Sequence, residues 1–403
     1  MGRAAGGGCL PWRARSARLA AAACACWLAV CGPGARSAGQ APAPSAVPAL
    51  REVLSDDFPV GAAIWRGDLN GPHTELLKKH FSSIVAENDM KMERLQPVEG
   101  AFRFDAADAL VAFARANTMR VRGHTLVWHN QNPRWLFRDA LDQELRPSPE
   151  SKALMLKRLE SHIRAVAGHF KDDVYAWDVV NEVIDPAQPD GFRRSRWFEL
   201  TGSDYIDAAF RMARLAAPKA RLFINDYDTT EPKKRQLLLN LVRDMKARGV
   251  PVDGIGHQMH IRIAGPPVDE IKQTIEMFLP LGVENQITEM DMSVYDSRSG
   301  SCAAIPQEVL IEQGYRYREI FGLLRAMRGK VTAVTFWGVA DDHTWLKSFP
   351  IRRLDLPLLF DERSEPKPAF WAVVDPAGFP GRFPKVEIPP SFRECSAPRS
   401  SSP

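Results

Sequence analysis

Six cysteines in 403 residues are few, and four of them (Cys9, Cys24, Cys26 and Cys31) crowd into the first 31 positions. No C-x-x-C and no Cys/His spacing of a metal site occurs, so zinc-ribbon, zinc-finger and dithiol redox classes drop out. No G-x-G-x-x-G follows the first strand candidate and no P-loop is present, which removes the phosphate-cradling signatures of nucleotide chemistry. Long apolar runs are also missing. The best one, Leu19 to Cys31, is too short to span a bilayer comfortably. What remains is an ordinary globular composition, 45% apolar and 25% charged, with ample material for a large core and nothing that points to disorder.

Charge of one sign is missing too once the N-terminus is set aside. Residues 1–39 hold Arg3, Arg13, Arg15, Arg18 and Arg36 and no acid, so removing them takes the formal charge from +4 to −1. A near-neutral chain gives no reason to expect nucleic acid as a partner. The order of arginines, apolar run and small residues to Ala38 reads as a signal peptide over 1–38, followed by a Pro/Ala-rich linker over 39–54. The expectation is a secreted or periplasmic protein with no membrane attachment, unless Cys24 or Cys31 carries a lipid. Cys302 and Cys395 are left over; an exported chain can pair them, but the sequence does not show whether they are within reach.

From residue 55 to 377, short apolar runs alternate with longer amphipathic ones, the pattern of repeated βα units and a parallel sheet. Strands are predicted over Val60–Ile64, Ser83–Glu87, Arg120–Trp128, Val174–Glu182, Arg221–Tyr227, Gly254–Ile261, Asn285–Met292 and Val331–Gly338. The clearest helices are predicted over Asp105–Ala116, Glu150–Phe170, Tyr205–Ala217, Pro232–Arg248, Val268–Leu281 and Pro306–Met327. Eight units fit a single (β/α)8 TIM barrel, with residues 378–403 as a C-terminal tail too short to be a module.

Active sites of such barrels sit at the C-terminal ends of the strands. Here nearly every strand end carries polar or aromatic groups: Glu87, Asn88 and Lys91; His124, Trp128 and His129; Asn181 and Glu182; Asn225, Asp226 and Tyr227; Gln258 and His260; Glu289 and Asp291; Trp337, with Trp345 beyond. One such residue is more often a satisfied core group than a functional one. Seven successive strand ends are not explained that way, because buried carboxylates are costly without a role or a partner. Glu182 and Glu289 fall on the fourth and seventh strands, which face each other across a barrel mouth. Two carboxyls across a cleft suit glycoside hydrolysis, and tryptophans offer flat faces to pyranose rings.

The motifs Glu87-Asn-Asp-Met-Lys91, Gly123-His-Thr-Leu-Val-Trp-His129, Trp177-Asp-Val-Val-Asn-Glu182, Ile224-Asn-Asp-Tyr227, Gly254-Ile-Gly-His-Gln-Met-His260, Thr288-Glu-Met-Asp291 and Val334-Thr-Phe-Trp-Gly338 resemble glycoside hydrolase family 10, the β-1,4-xylanases. The resemblance runs in order from about residue 55 to 375. It implies Glu182 as acid/base, Glu289 as nucleophile and Asn181 on the sugar 2-hydroxyl. Glu87, Asn88, Lys91, His124, Trp128, Gln258, His260, Trp337 and Trp345 would line the glycone side and Tyr227 the aglycone side. His260 would also hydrogen-bond Glu289, with Asp291 in support. The implied activity is retaining, endo-acting hydrolysis of xylan and xylo-oligosaccharides by a monomer without cofactor, with side activity on aryl cellobiosides. Met92, His257, Asp228 and Leu346 depart from the commonest pattern, which bears on specificity rather than on the reaction.

Overall fold

The computed structural model describes residues 47–397. Its strands are β1 (Val60–Ile64), β2 (Ser83–Ala86), β3 (Arg120–Val127), β4 (Val174–Asn181), β5 (Arg221–Tyr227), β6 (Gly254–Gln258), β7 (His260–Arg262), β8 (Glu284–Ser293) and β9 (Val331–Phe336). All pair in parallel in the order β6-β5-β4-β3-β2-β1-β9-β8, and a further β6–β8 pairing closes the sheet into a barrel. β7 continues the sixth strand after a break at Met259 and pairs only with β8. The expected (β/α)8 barrel is therefore present.

The strands are buried on both faces because side chains fill the barrel inside while helices cover it outside; β1, Val-Gly-Ala-Ala-Ile, has no exposed position. The covering helices include Asp105–Ala116, Pro149–His169, Asp204–Ala216, Pro232–Ala247, Val268–Phe278 and Gln307–Ala326, each within a few residues of its predicted span. Local chemistry sets their starts. Ser148 accepts from the Ser151 amide ahead of Pro149, and Glu231 accepts from the Lys233 and Lys234 amides around Pro232. Among the described residues no helix is long and apolar enough to cross a membrane.

Four of the strands stop short. β2, β3, β4 and β9 end one or two residues before their predicted ends, so Glu87, Trp128, Glu182 and Trp337 begin loops rather than finish strands. The expected linker over 39–54 is corrected at its C-terminal end: Leu50 and Leu54 are fully buried in the main core, with a helical turn at Leu50–Val53. The tail also packs. Its helices Phe379–Arg382 and Pro390–Ser396 bury Phe379 and Phe392, and Phe392 stacks on Tyr295 at 5.8 Å. Cys395 is disulfide-bonded to Cys302 with a Cα separation of 5.3 Å, which resolves the pairing left open above. A segment with single aromatics among Pro and Arg has no periodicity, so only the surface it lands on reveals its packing. The predicted signal peptide over 1–38 and the linker to residue 46 lie outside the described residues, as do residues 398–403.

Candidate active site

The parallel strands point their C-terminal ends to one mouth. Glu182 follows β4 there with φ of +60°, a left-handed conformation that costs a non-glycine residue about 1–2 kcal/mol. Both of its backbone groups are pinned: the amide donates to the Asn225 carbonyl at 2.8 Å, and its carbonyl accepts from Arg193 Nε at 2.7 Å. Its side chain, 14% exposed, lies near Asn181 Nδ2 (3.3 Å), Gln258 Nε2 (3.4 Å) and His129 Nδ1 (3.8 Å). Burial, reinforced by the carboxylates of Asp226 and Glu289, pushes Glu182 above the ordinary glutamate range. His129 is itself pushed down to about 4 by burial and by the charges of Arg193 and Lys234, so it stands beside Glu182 as a neutral imidazole.

Glu289, on β8, is more deeply buried yet tuned the other way. Burial alone would raise it, but the hydrogen bond from His260 and the nearby imidazoles of His124 and His260 outweigh burial and hold it below the usual carboxylate range. His260 Nε2 lies 3.1 Å from Glu289 Oε2 and His260 Nδ1 lies 2.9 Å from Asp291 Oδ2. Burial disfavours a charged imidazole here, but two flanking carboxylates prevail and raise His260 to about 10. Asp291 is held in turn by Trp345 Nε1, which donates to Oδ2 at 2.7 Å. Asp291 Oδ2 thus meets both His260 and Trp345. His124 Nδ1 meets Asp178 Oδ2 at 3.0 Å and lies 4.0 Å from Glu289 Oε1, while Arg122 pairs with the same Asp178 inside the barrel.

All but one of the remaining predicted residues gather around these two carboxyls. Lys91 is buried, donates to Asn88 Oδ1 at 3.1 Å and lies 4.7 Å over the Trp128 ring; burial lowers its pKa although Glu289, Glu87 and Glu182 counteract it. Glu87 meets His343 Nε2 at 2.9 Å. Trp337 is buried edge-on between His124 and His260, with centroids 5.2 and 6.2 Å away, and Trp345 packs against His260 at 4.9 Å. Gln258 donates to Asn181 Oδ1 at 3.0 Å. Tyr227 stands apart from this cluster. Its hydroxyl accepts from Arg193 at 2.7 Å, its ring faces Lys234, and it lines an open cavity of about 500 Å³ with Asp185, Asp228 and Arg298.

Asn225 was noted above only as a polar strand end. Its Nδ2 donates to both Glu289 Oε1 (2.6 Å) and Asn181 Oδ1 (2.9 Å), and its Oδ1 accepts from Thr288 at 2.6 Å. Gly256 leaves room for it, since a Cβ there would come within 2.3 Å of Asn225 Oδ1. The Ile224-Asn-Asp-Tyr227 motif was the available signal. Arg193 and His343 gave none, because they sit in irregular loops that only folding brings to the mouth.

Residues 49–376 match the model of glycosyl hydrolase family 10. A thermostable celloxylanase of Thermoclostridium stercorarium is 48% identical over 343 residues, covering 82% of this chain and 88% of that protein. Endo-1,4-beta-xylanase A of Thermotoga maritima is 47% identical over 340 residues, covering 83% of this chain but 31% of the relative, so this chain spans about a third of that protein. Among solved structures, xylanase B from Clostridium stercorarium F9 superposes with a TM-score of 0.80 at 48% identity, covering 82% of this chain and 100% of that one. A mutant structure in complex with xylotriose gives 0.77 at 39% identity, covering 81% and 99%. With a closed (β/α)8 barrel, two oppositely tuned glutamates at its mouth and a family match over most of its length, this chain belongs to glycosyl hydrolase family 10.

Proposed function

We propose that the protein is an endo-1,4-β-xylanase that cleaves internal bonds of xylan and xylo-oligosaccharides with retention, through a covalent glycosyl-enzyme, as a monomer needing no cofactor. The observation that carries this reading is the opposite tuning of Glu182 and Glu289. An acid/base must hold a proton near neutral pH, and a nucleophile must be ionised under the same conditions. Burial beside Asp226 favours the protonated form of Glu182; the His260 hydrogen bond favours the charged form of Glu289. In this mechanism Glu289 attacks the anomeric carbon while Glu182 protonates the departing oxygen, then Glu182 deprotonates the water that releases the sugar.

The relatives and the xylotriose-bound neighbour support xylan as substrate class. Glu87, Asn88, Lys91, His124, Trp128, Gln258, His260, Trp337 and Trp345 form the glycone side of this reading, Asn181 holds a 2-hydroxyl, and Tyr227 lies on the aglycone side. An open cavity beyond Tyr227 suits a chain that continues past the cleaved bond, hence endo action. Xylose lacks the exocyclic group of glucose, and one added group in a pocket gives only modest discrimination, so slow turnover of aryl cellobiosides is part of the proposal. The relative described as a celloxylanase favours it.

Azide rescue tests the two roles. E289A should lose the covalent step with every substrate, and azide should restore turnover with an inverted glycosyl azide. E182A should lose xylan hydrolysis yet still form the glycosyl-enzyme from an activated aryl xylobioside, with azide then giving a retained product. Exchanged stereochemical outcomes would reverse the assignments, and α-configured products from the wild type would remove the retaining mechanism.

A further inference from the structure

The loops after β1 and β9 meet beside Glu87 and carry two aromatic rings that the reaction does not use. Trp65 follows the last residue of β1, and the Ile64 carbonyl before it accepts from the Glu87 amide at 2.8 Å. Trp65 stacks on His343 with centroids 5.2 Å apart and planes at 21°, and His343 Nε2 lies 2.9 Å from Glu87 Oε2. Trp65 is 44% exposed, the one tryptophan among the exposed large apolar residues of the described chain. A single exposed hydrophobic residue normally needs no explanation. What distinguishes this one is how firmly it is held.

Its amide donates to Asp68 Oδ2 at 2.9 Å; Asp68 Oδ1 meets His73 Nδ1 at 2.6 Å; His73 Nε2 meets Asp342 Oδ1 at 2.9 Å, next to His343. The network ties the two loops together under the two rings. Gly67 completes the arrangement, because a Cβ there would come within 2.2 Å of the indole, so only glycine lets the ring lie where it does. An ordered, part-exposed indole continuous with a sugar-binding cleft has the character of a pyranose platform: it offers apolar contact to sugar C–H groups at little cost in side-chain entropy.

We propose that Trp65, backed by His343, binds a further glycone-side xylopyranosyl unit, outward of those held at Glu87, and so sets the chain length the enzyme prefers. This rests on the xylanase reading above. The test is kcat/KM for aryl β-xylosides of one to four xylosyl units. The wild type should gain with each unit until the platform is filled, and W65A should erase the gain from the outermost unit, about three- to tenfold. G67A should produce the same length-dependent loss by displacing the indole, and W65F should restore part of it. A wild-type profile already flat at the longer chains, a W65A loss equal at every length, or a W65A profile like that of the wild type would overturn the platform. Melting temperatures of each variant separate an equal loss through unfolding from a length-dependent one. A wild type that cleaves no xyloside of any length would instead overturn the xylanase reading itself.

Discussion

His260 is the bridge between two carboxylates, with Nε2 3.1 Å from Glu289 Oε2 and Nδ1 2.9 Å from Asp291 Oδ2. Its pKa, raised to about 10, makes it a cation through the neutral range, so Glu289 is offered a charged donor rather than a neutral one. The sign of the coupling sets a first prediction. Because His260 is raised above its unfolded value near 6.5, its stabilising contribution is full below that value and is lost as pH rises through about 10. H260N removes the charge, so Glu289 should become harder to ionise and the acid limb of the kcat/KM profile should move to higher pH. An unmoved acid limb would show that His260 does not set the state of Glu289.

The alkaline limb should follow Glu182, which must be protonated to act as the acid. Burial raises it first and the Asp226 carboxylate second. D226N removes that negative charge and leaves Lys234, 2.6 Å from Asp226 Oδ1, without its counter-ion. Both changes favour ionised Glu182, so the alkaline limb should move to lower pH. Movement to higher pH would contradict this electrostatic account.

Asn225 touches Glu289 and Asn181 with one amide group. N225A should lower kcat/KM on xylan roughly 10²-fold by loosening both, since a small misplacement of reacting groups has effects of that order. Steady-state kinetics beside an unchanged circular dichroism spectrum would check it. A loss below about twofold would leave Asn225 as packing alone.

The disulfide between Cys302 and Cys395 closes a span of 93 residues and fixes the tail against Tyr295. C302A/C395A should lower unfolding free energy by about 2–4 kcal/mol, because the open chain gains entropy when unfolded. Urea denaturation of the full chain with and without the bridge measures this. Equal midpoints and slopes would mean that the tail holds without it.

The arginine-rich N-terminus predicts export to the periplasm or medium with removal of the leader. Mass spectrometry of protein from its native host should find a first residue beyond about position 30. An intact Met1 would sink the idea, and a lipid on Cys24 or Cys31 would convert it into an anchored form.

The barrel architecture was legible in the chain, and so was the placement of Glu182 and Glu289 at or near the ends of apolar runs. Apolar runs of strand length alternating with amphipathic ones can be satisfied by a closed parallel barrel, and a glutamate at the end of such a run is too costly to be accidental. Local pattern carries that information because side-chain periodicity and burial cost are properties of the segment itself. Tertiary structure decided the tuning. The opposite shifts of Glu182 and Glu289 depend on Asp226, His260 and His124 arriving from β5, β7 and β3, and Asn225 became a site residue only when β5 and β8 brought it to 2.6 Å from Glu289. The Trp65–His343 pair is the extreme case, 278 positions apart in the chain yet stacked at 5.2 Å. Charge–charge attraction and hydrogen bonding act over a few ångströms of space, and a chain specifies those distances only by folding.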